Sequence, residues 1–211
     1  MSNNDSNRGS LFIIAAPSGG GKTSLVNALL KDDPRLVLSI SHTTRAARPG
    51  EIDGQHYHFV SETEYEDMVN NGDFMEHARV FDYHYGTNRN SVASQLEQGR
   101  DVILEIDWQG ARQVRTVFPD CCRIFIIPPS LEDLRKRLTG RRQDSAKVIQ
   151  RRMRDAQAEI SHWAEFDHLV VNDNFDAALE ELRAIINDHR NRKPHKVNKN
   201  HQLLAQRLGR S

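Results

Sequence analysis

Apolar and polar positions along the chain fall into two regimes. Leu11–Ala16 (LFIIAA) is a continuous apolar run, the pattern of a strand buried on both faces. A glycine-rich turn follows it, then a helical pattern over Thr23–Leu30 and a second strand pattern over Leu36–Ile40. From residue 101 onward, strands and amphipathic helices alternate. The spacing predicts strand Asp101–Ile106, helix Trp108–Phe118, strand Arg123–Ile127, helix Leu131–Leu138, a long helix near Ala146–Ala164, strand Leu169–Val171 and helix Asp176–His189. Such alternation implies an α/β fold, a parallel sheet flanked by helices.

Residues 41–91 interrupt this order and read as an inserted subdomain. Ser41–Gly54 (SHTTRAARPGEIDG) is polar, basic and broken by Pro49, Gly50 and Gly54, so it reads as a loop. Half-exposed strands are expected at Gln55–Val60 and Phe74–Phe81 around a helix near Glu62–Asn70, with another helix over Asn88–Glu97. The polar gap TGRRQDS reads as a mobile loop. The expected organisation is a disordered tail over 1–9, a domain over 10–190 and a C-terminal extension over 191–211. Within the domain the core is 10–40 and 92–190, the insert 41–91, and a small lid about 139–156.

A length of 211 residues fits one domain of ordinary size, or one domain carrying a small insert. No apolar stretch approaches the ~20 residues of a membrane-spanning helix. The opening MSNNDSNRGS lacks the apolar run of a secretory signal. Cys121 and Cys122 are neighbours and make a poor disulfide framework, so a cytoplasmic protein is expected. The 29 basic and 29 acidic residues balance, but seven of the basic ones and none of the acidic ones fall in 190–211, leaving the rest at −7. That basic end reads as a solvated or helical extension before it reads as a polyanion-binding arm, and nucleic acid is not expected as a partner.

The chemistry begins at Ala16-Pro17-Ser18-Gly19-Gly20-Gly21-Lys22-Thr23, which matches G-x-x-x-x-G-K-[ST] except for alanine at the first position. Glycines are needed because backbone N–H groups wrap a phosphate without side chains intervening. Lys22 is expected on the β- and γ-phosphates, the Thr23 hydroxyl on Mg²⁺, and the helix start, with Ser24, on the anion. Alanine at 16 costs little if it ends the strand with negative φ. Asp107, at the end of a buried strand, suits a Mg²⁺–water contact before it suits a cap for the following helix; Glu105 is two residues earlier on the same side. Arg45 and Arg48, three apart in a punctuated loop, suit a second phosphate through bidentate guanidinium forks; composition alone would make them a solvated basic loop.

The series APSGGGKTS, SHTTRAARPGE, HYHFV, FMEHA, YHYGT, LEIDWQG and IFIIPPS, in this order and spacing, resembles guanylate kinase over residues from about 10 to 188. The resemblance implies phosphorylation of GMP to GDP by ATP with Mg²⁺, on a P-loop core with a GMP-binding insert and a lid. It assigns Ser41, Arg45, Arg48, Tyr57, Glu76, Tyr85, Thr87 and Asp107 to the GMP side, and Asn172 to the neighbourhood of the adenine. Arg137, Arg141 and Arg152 become the lid arginines facing the transferring phosphoryl group. One departure is Gly140-Arg141-Arg142, where the family usually has Gly-Arg-Gly. Guanine offers donors at N1 and N2, which a carboxylate such as Glu76 accepts, while Thr87 or Ser41 can donate to O6 or accept from an amino group.

Two readings stand beside this one, a non-catalytic interaction module of the same shape and a kinase for another nucleoside monophosphate. Lys22, Thr23, Arg45 and Arg48 weigh against the first and Glu76 against the second. Homo-oligomer formation is left open. His56 and His58 share a strand face, but no third ligand completes a zinc site. Trp108 and Trp163 read as packing residues.

Overall fold

The structure is a computed structural model and describes residues 8–80, 82–140, 146–195 and 198–209. Five strands form one sheet in the order β2-β7-β1-β8-β9: β1 is Leu11–Ala15, β2 Leu36–Leu38, β7 Asp101–Leu104, β8 Cys122–Ile127 and β9 His168–Val171. The β2/β7 and β8/β9 pairs are parallel. Every residue of β1, β7 and β8 is buried, as expected of strands covered on both faces. No helix among the described residues is long and apolar enough to cross a membrane.

The chain divides into two compact units, one formed by the chain up to Phe12 with Arg35–Cys121, the other by Ile13–Pro34 with the chain from Cys122 onward. In the first unit, β3 (His42–Thr43), β4 (His58–Phe59), β5 (Phe74–Val80) and β6 (Tyr83–Asn88) make a second sheet in the order β4-β3-β6-β5. Gly9 N donates to the Leu96 carbonyl at 2.9 Å, so ordered chain precedes β1. Helix α2 (Glu62–Asn70) starts with a reciprocal capping box between Ser61 and Glu64. Helix α3 (Arg89–Glu97) is capped by Asn88, and α4 (Trp108–Val117) by Asp107.

Three expectations for this unit change. Ser41–Gly54 is not loop throughout: its start forms β3, pairing parallel with β4 and antiparallel with β6, with Thr43 fully buried and donating to the His84 carbonyl at 2.9 Å. Residues 83–88 form β6, although YHYGTN carries no apolar alternation. The pairing with β5 supplies what periodicity does not, and Gly86 lies against the Phe74 ring where a Cβ would sit at 2.8 Å. The strand expected over Gln55–Val60 shrinks to β4, because Asp53 and Tyr57 make only an isolated bridge.

The second unit holds α1 (Lys22–Asp32), α5 (Leu131–Thr139), α6 (Ala146–Ser161), α7 (Phe175–Arg190) and α8 (Lys199–Leu208). Helix α6 ends earlier than its apolar pattern implies, and Trp163–Glu165 forms a separate 3₁₀ turn. Helices α1 and α7 pack together and are tied by the Arg183–Asp32 ion pair and by Arg190 Nη1 to Asp33 Oδ2 at 2.5 Å. Residues 199–208 of the basic extension take the helical course: α8 packs on α6 and β9, buries Ala205 and Leu208, and brings His201 Nδ1 to within 3.0 Å of the Leu169 carbonyl oxygen. Cys121 and Cys122 are buried, just before and at the first residue of β8, and neither is in a disulfide.

Candidate active site

The turn between β1 and α1 has the backbone that its glycines allow. Gly19 and Gly21 have φ of 87° and 91°, and a Cβ on Gly21 would fall 2.2 Å from Asn172 Nδ2. Ala16 is not among the residues with positive φ, so alanine is tolerated at the motif's first position. Pro17 is buried, and its carbonyl accepts from Gly20 N at 2.8 Å, closing the turn. Helix α1 then opens at Lys22 with Gly21 as its N-cap and no capping side chain. Its first-turn N–H groups are therefore left for an anion. Thr23 and Ser24 are exposed on that turn and Lys22 is half-buried.

Side chains from the second unit brace this turn. Asn172 Nδ2 donates to the Gly20 carbonyl at 2.9 Å, Arg152 Nη2 to Ser18 Oγ at 2.7 Å, and Ser18 N to Glu159 Oε2 at 3.1 Å. Arg137 Nη2 donates to the Asn172 carbonyl at 2.7 Å, and its buried Nη1 has no hydrogen-bond partner among the described residues. Leu134 and Leu138 of α5 lie against Gly19 and join Met153 and Ala156 of α6 in one apolar cluster. Asn172 thus holds the turn from beneath. Glu159 was missed by sequence reasoning. Its signal was its position seven residues from Arg152, two helical turns along the same face. Arg141 lies outside the described residues.

The first unit gathers the other predicted residues. Arg45 is only 8% exposed; its Nη1 and Nη2 reach Glu51 Oε2 and Oε1 at 2.9 and 2.8 Å, and Nη1 also donates to the Ala46 carbonyl. Its guanidinium lies 5.3 Å from the Tyr57 ring centroid and 5.7 Å from that of Phe59. The pairing with Glu51 raises the Arg45 pKa further and holds the Glu51 carboxyl below its ordinary range. Glu51 also accepts from Arg48 N at 2.7 Å, whereas the Arg48 side chain is exposed. Glu51 was a further miss, since six residues of separation in a polar loop announce no contact.

Tyr57 and Tyr85 meet edge to face at 5.9 Å. Burial, with Tyr85 and Glu105 nearby, pushes the Tyr57 phenol up, so it stays a donor at neutral pH. Glu76 and Thr87 are a register pair of β5 and β6, 3% and 0% exposed, and Thr87 Oγ1 donates to Glu76 Oε1 at 2.6 Å. With its proton engaged there, Thr87 can only accept from a ligand's amino group. Ser41 is half-buried, and its carbonyl accepts from His58 N at 2.9 Å.

Asp107 takes the capping role: Oδ1 accepts from Gly110 N at 2.9 Å and Oδ2 from Gln109 Nε2 at 2.8 Å. Glu105 Oε1 is buried with no hydrogen-bond partner among the described residues. His58 stacks on His42 at 4.6 Å, and no group of three metal-ligating side chains occurs among the described residues.

Comparison with known proteins agrees with this arrangement. The family model described as guanylate kinase matches residues 8–189. A guanylate kinase of Alkalilimnicola ehrlichii is 55% identical over 200 residues, covering 95% of this chain and 97% of that protein. One from Nitrosococcus oceani is 60% identical over 182 residues, covering 86% and 90%. The crystal structure of guanylate kinase from Anaplasma phagocytophilum superposes with a TM-score of 0.75 at 31% identity, covering 97% and 98%. With the family model matched over residues 8–189 and relatives more than half identical over most of the chain, the chain belongs to the guanylate kinase family.

Proposed function

We propose that this chain transfers the γ-phosphoryl group of ATP to GMP, giving ADP and GDP, with the two substrates handled by separate sets of side chains. The donor set is the turn Ala16–Thr23 with Ser24, where Lys22 neutralises the β- and γ-phosphates. The acceptor set is Arg45, Arg48, Tyr57 and Tyr85 on the GMP phosphate, with Ser41, Glu76 and Thr87 around the guanine. The observation that carries the acceptor assignment is the buried Glu76–Thr87 pair. An ionised carboxylate accepts from guanine N1–H and the 2-amino group, and the Thr87 oxygen offers a further acceptor. Adenine has an acceptor at N1 and no 2-amino group, so it would leave that carboxylate unpaired, a mismatch able to discriminate by roughly 10⁴ or more.

The GMP phosphate is ionised at neutral pH and needs no general base. The barrier is the approach of two polyanions in line, so the rate comes from positioning and charge neutralisation. Arg45 is prepared for this work, because Glu51 fixes its guanidinium plane and the aromatic faces of Tyr57 and Phe59 support it. Arg137 and Arg152 serve the transferring phosphoryl group, and the free, buried Nη1 of Arg137 supports that role. The segment about 139–156 acts as the lid that excludes water.

The donor chemistry also fits Mg²⁺, a hard cation that takes oxygen ligands. Thr23, exposed on the first turn of α1, would offer the ion its hydroxyl, and Asp107, engaged as the cap of α4, would act on it through water. When bound, the ion supplies neutralisation of phosphate charge. Two cysteines that form no disulfide accord with work in the reducing cytoplasm.

The test is ADP release from ATP–Mg²⁺ with GMP, AMP, CMP, UMP or no acceptor. Turnover with GMP alone supports the assignment. Turnover with another acceptor overturns the reading of the first unit, and GMP binding without turnover makes the chain a non-catalytic module.

A further inference from the structure

We infer that Gly110 and Gln113, on one face of α4, position the Glu76 carboxylate and thereby set the preference for a purine that carries a 2-amino group. The inference rests on the reading of Glu76 as the guanine acceptor. Strand β5 lies at the end of its sheet, so one edge of its backbone has no strand partner among the described residues. Gln113 supplies one. Its Oε1 accepts from His77 N at 3.1 Å and its Nε2 donates to the His77 carbonyl at 2.8 Å. A side-chain amide thus copies the pairing of a neighbouring strand and fixes the backbone next to Glu76.

One helical turn before Gln113, on the same face, stands Gly110. A Cβ there would lie 2.4 Å from Glu76 Oε2 and 3.1 Å from Glu76 Cδ, so the carboxylate occupies the space a side chain would take. The position is buried and belongs to the first turn of α4, whose N–H groups favour an anion. Gly110 N itself is held by Asp107 Oδ1, which keeps the turn fixed beneath the carboxylate. Glu76 is therefore held from three directions, by Thr87 across the hairpin, by Gln113 through the β5 backbone and by the bare backbone of Gly110.

Alanine at 110 separates stability from function. The atom that must yield is Glu76 Oε2, the tip of a side chain, Ile106 Cβ at 3.3 Å needs to give by only a few tenths of an ångström, and alanine is a better helix former than glycine. The fold should tolerate the change, while the carboxylate moves off its position. A residue with a merely structural role would show the opposite, loss of stability with the acceptor preference intact.

The experiment compares Gly110→Ala, Gln113→Ala, Glu76→Gln and the Gly110→Ala/Glu76→Gln double variant. It measures kcat and KM for GMP, for ATP and for IMP, which lacks the 2-amino group, together with thermal melts. The expected result for Gly110→Ala is a GMP KM raised at least tenfold, an ATP KM within twofold, a narrowed GMP-to-IMP ratio of kcat/KM and an unchanged or higher melting temperature. The double variant should be no worse than Glu76→Gln alone, since both act through one group. A GMP KM within twofold of the parent in Gly110→Ala, or losses that multiply in the double variant, overturns the inference. Gln113→Ala leaves the helix backbone alone and carries the test if Gly110→Ala does not fold. If Glu76→Gln leaves the GMP-to-IMP ratio unchanged, the reading of Glu76 fails and the inference with it. If Glu76→Gln collapses the ratio while both α4 variants keep it, only the inference fails.

Discussion

Thr87 Oγ1 donates to Glu76 Oε1 at 2.6 Å across a register pair of β5 and β6, and both side chains are closed to solvent. A buried carboxylate that loses one hydrogen-bond donor is left short by about 1–3 kcal/mol. Thr87→Val keeps the shape and removes the donor. Its expected outcome is a GMP KM raised about 5- to 150-fold, the same energy expressed as affinity, with the ATP KM unchanged. Thr87→Ser should restore most of the affinity. Steady-state kinetics with each substrate varied in turn decides this, and equal behaviour of the valine and serine variants would count against the pairing.

Glu51 holds the Arg45 guanidinium through two oxygens, and in return its own carboxyl titrates below the ordinary value of 4.5. Because the folded pKa is lowered, the stabilisation is present above the ordinary value and is lost as pH falls through the folded one. Glu51→Gln should therefore lower the melting temperature at pH 7 and flatten its decline below pH 4.5. It should also raise the KM for GMP, since the arginine loses its orientation. Melts between pH 3 and 7 check the first part. An unchanged acid limb would remove Glu51 from the account.

Ser18 is held by Glu159 at its backbone N–H and by Arg152 at its hydroxyl. Glu159→Ala breaks the first contact and leaves that N–H to water. The expected effect is on the donor substrate, with an ATP KM raised about 5- to 50-fold, worth roughly 1–2 kcal/mol, and a GMP KM near the parent value. A larger effect on GMP than on ATP would contradict the role of α6 as a brace of the phosphate turn.

Two histidines carry lowered pKa values mainly because they are buried, His42 beside His58 and Asp53, and His168 beside His195, Asp167, His189 and Asp188. In each case the unfolded chain takes up a proton near pH 6.5 that the folded chain refuses. Stability should accordingly fall as pH drops below 6.5, with a slope of at most about 1.4 kcal/mol per pH unit for each histidine. Denaturant titrations at pH 7, 6 and 5 should show a shallower loss in His168→Gln than in the parent. Parallel curves would exclude His168 as a source.

The parallel sheet was legible because strands buried on both faces, such as β1 and β8, show as unbroken apolar runs. The glycine-rich turn was legible because its backbone demands glycine at 19 and 21. The second sheet was harder to read. Strand β3 has two residues and β6 reads YHYGTN, so their pairing is decided by partners distant in sequence rather than by local alternation. The same holds within the site. Glu76 and Thr87 were reached through motif resemblance and Arg45 already through its spacing from Arg48, whereas Glu51 and Gln113 act through contacts that no spacing rule announces and Glu159 showed only a shared helix face with Arg152. For Asp107 the sequence left two roles open, and the structure displays the cap.

The division of labour between donor and acceptor residues is tested most directly by comparing Lys22→Ala with Glu76→Gln, kcat and both KM values being measured for each. Lys22→Ala should lower kcat by at least 10²-fold, about 2.7 kcal/mol of transition-state stabilisation, while the KM for GMP stays within a few-fold. Glu76→Gln should raise the KM for GMP and leave the KM for ATP where it was. The same pattern of losses in both variants would contradict the separation of the two sets.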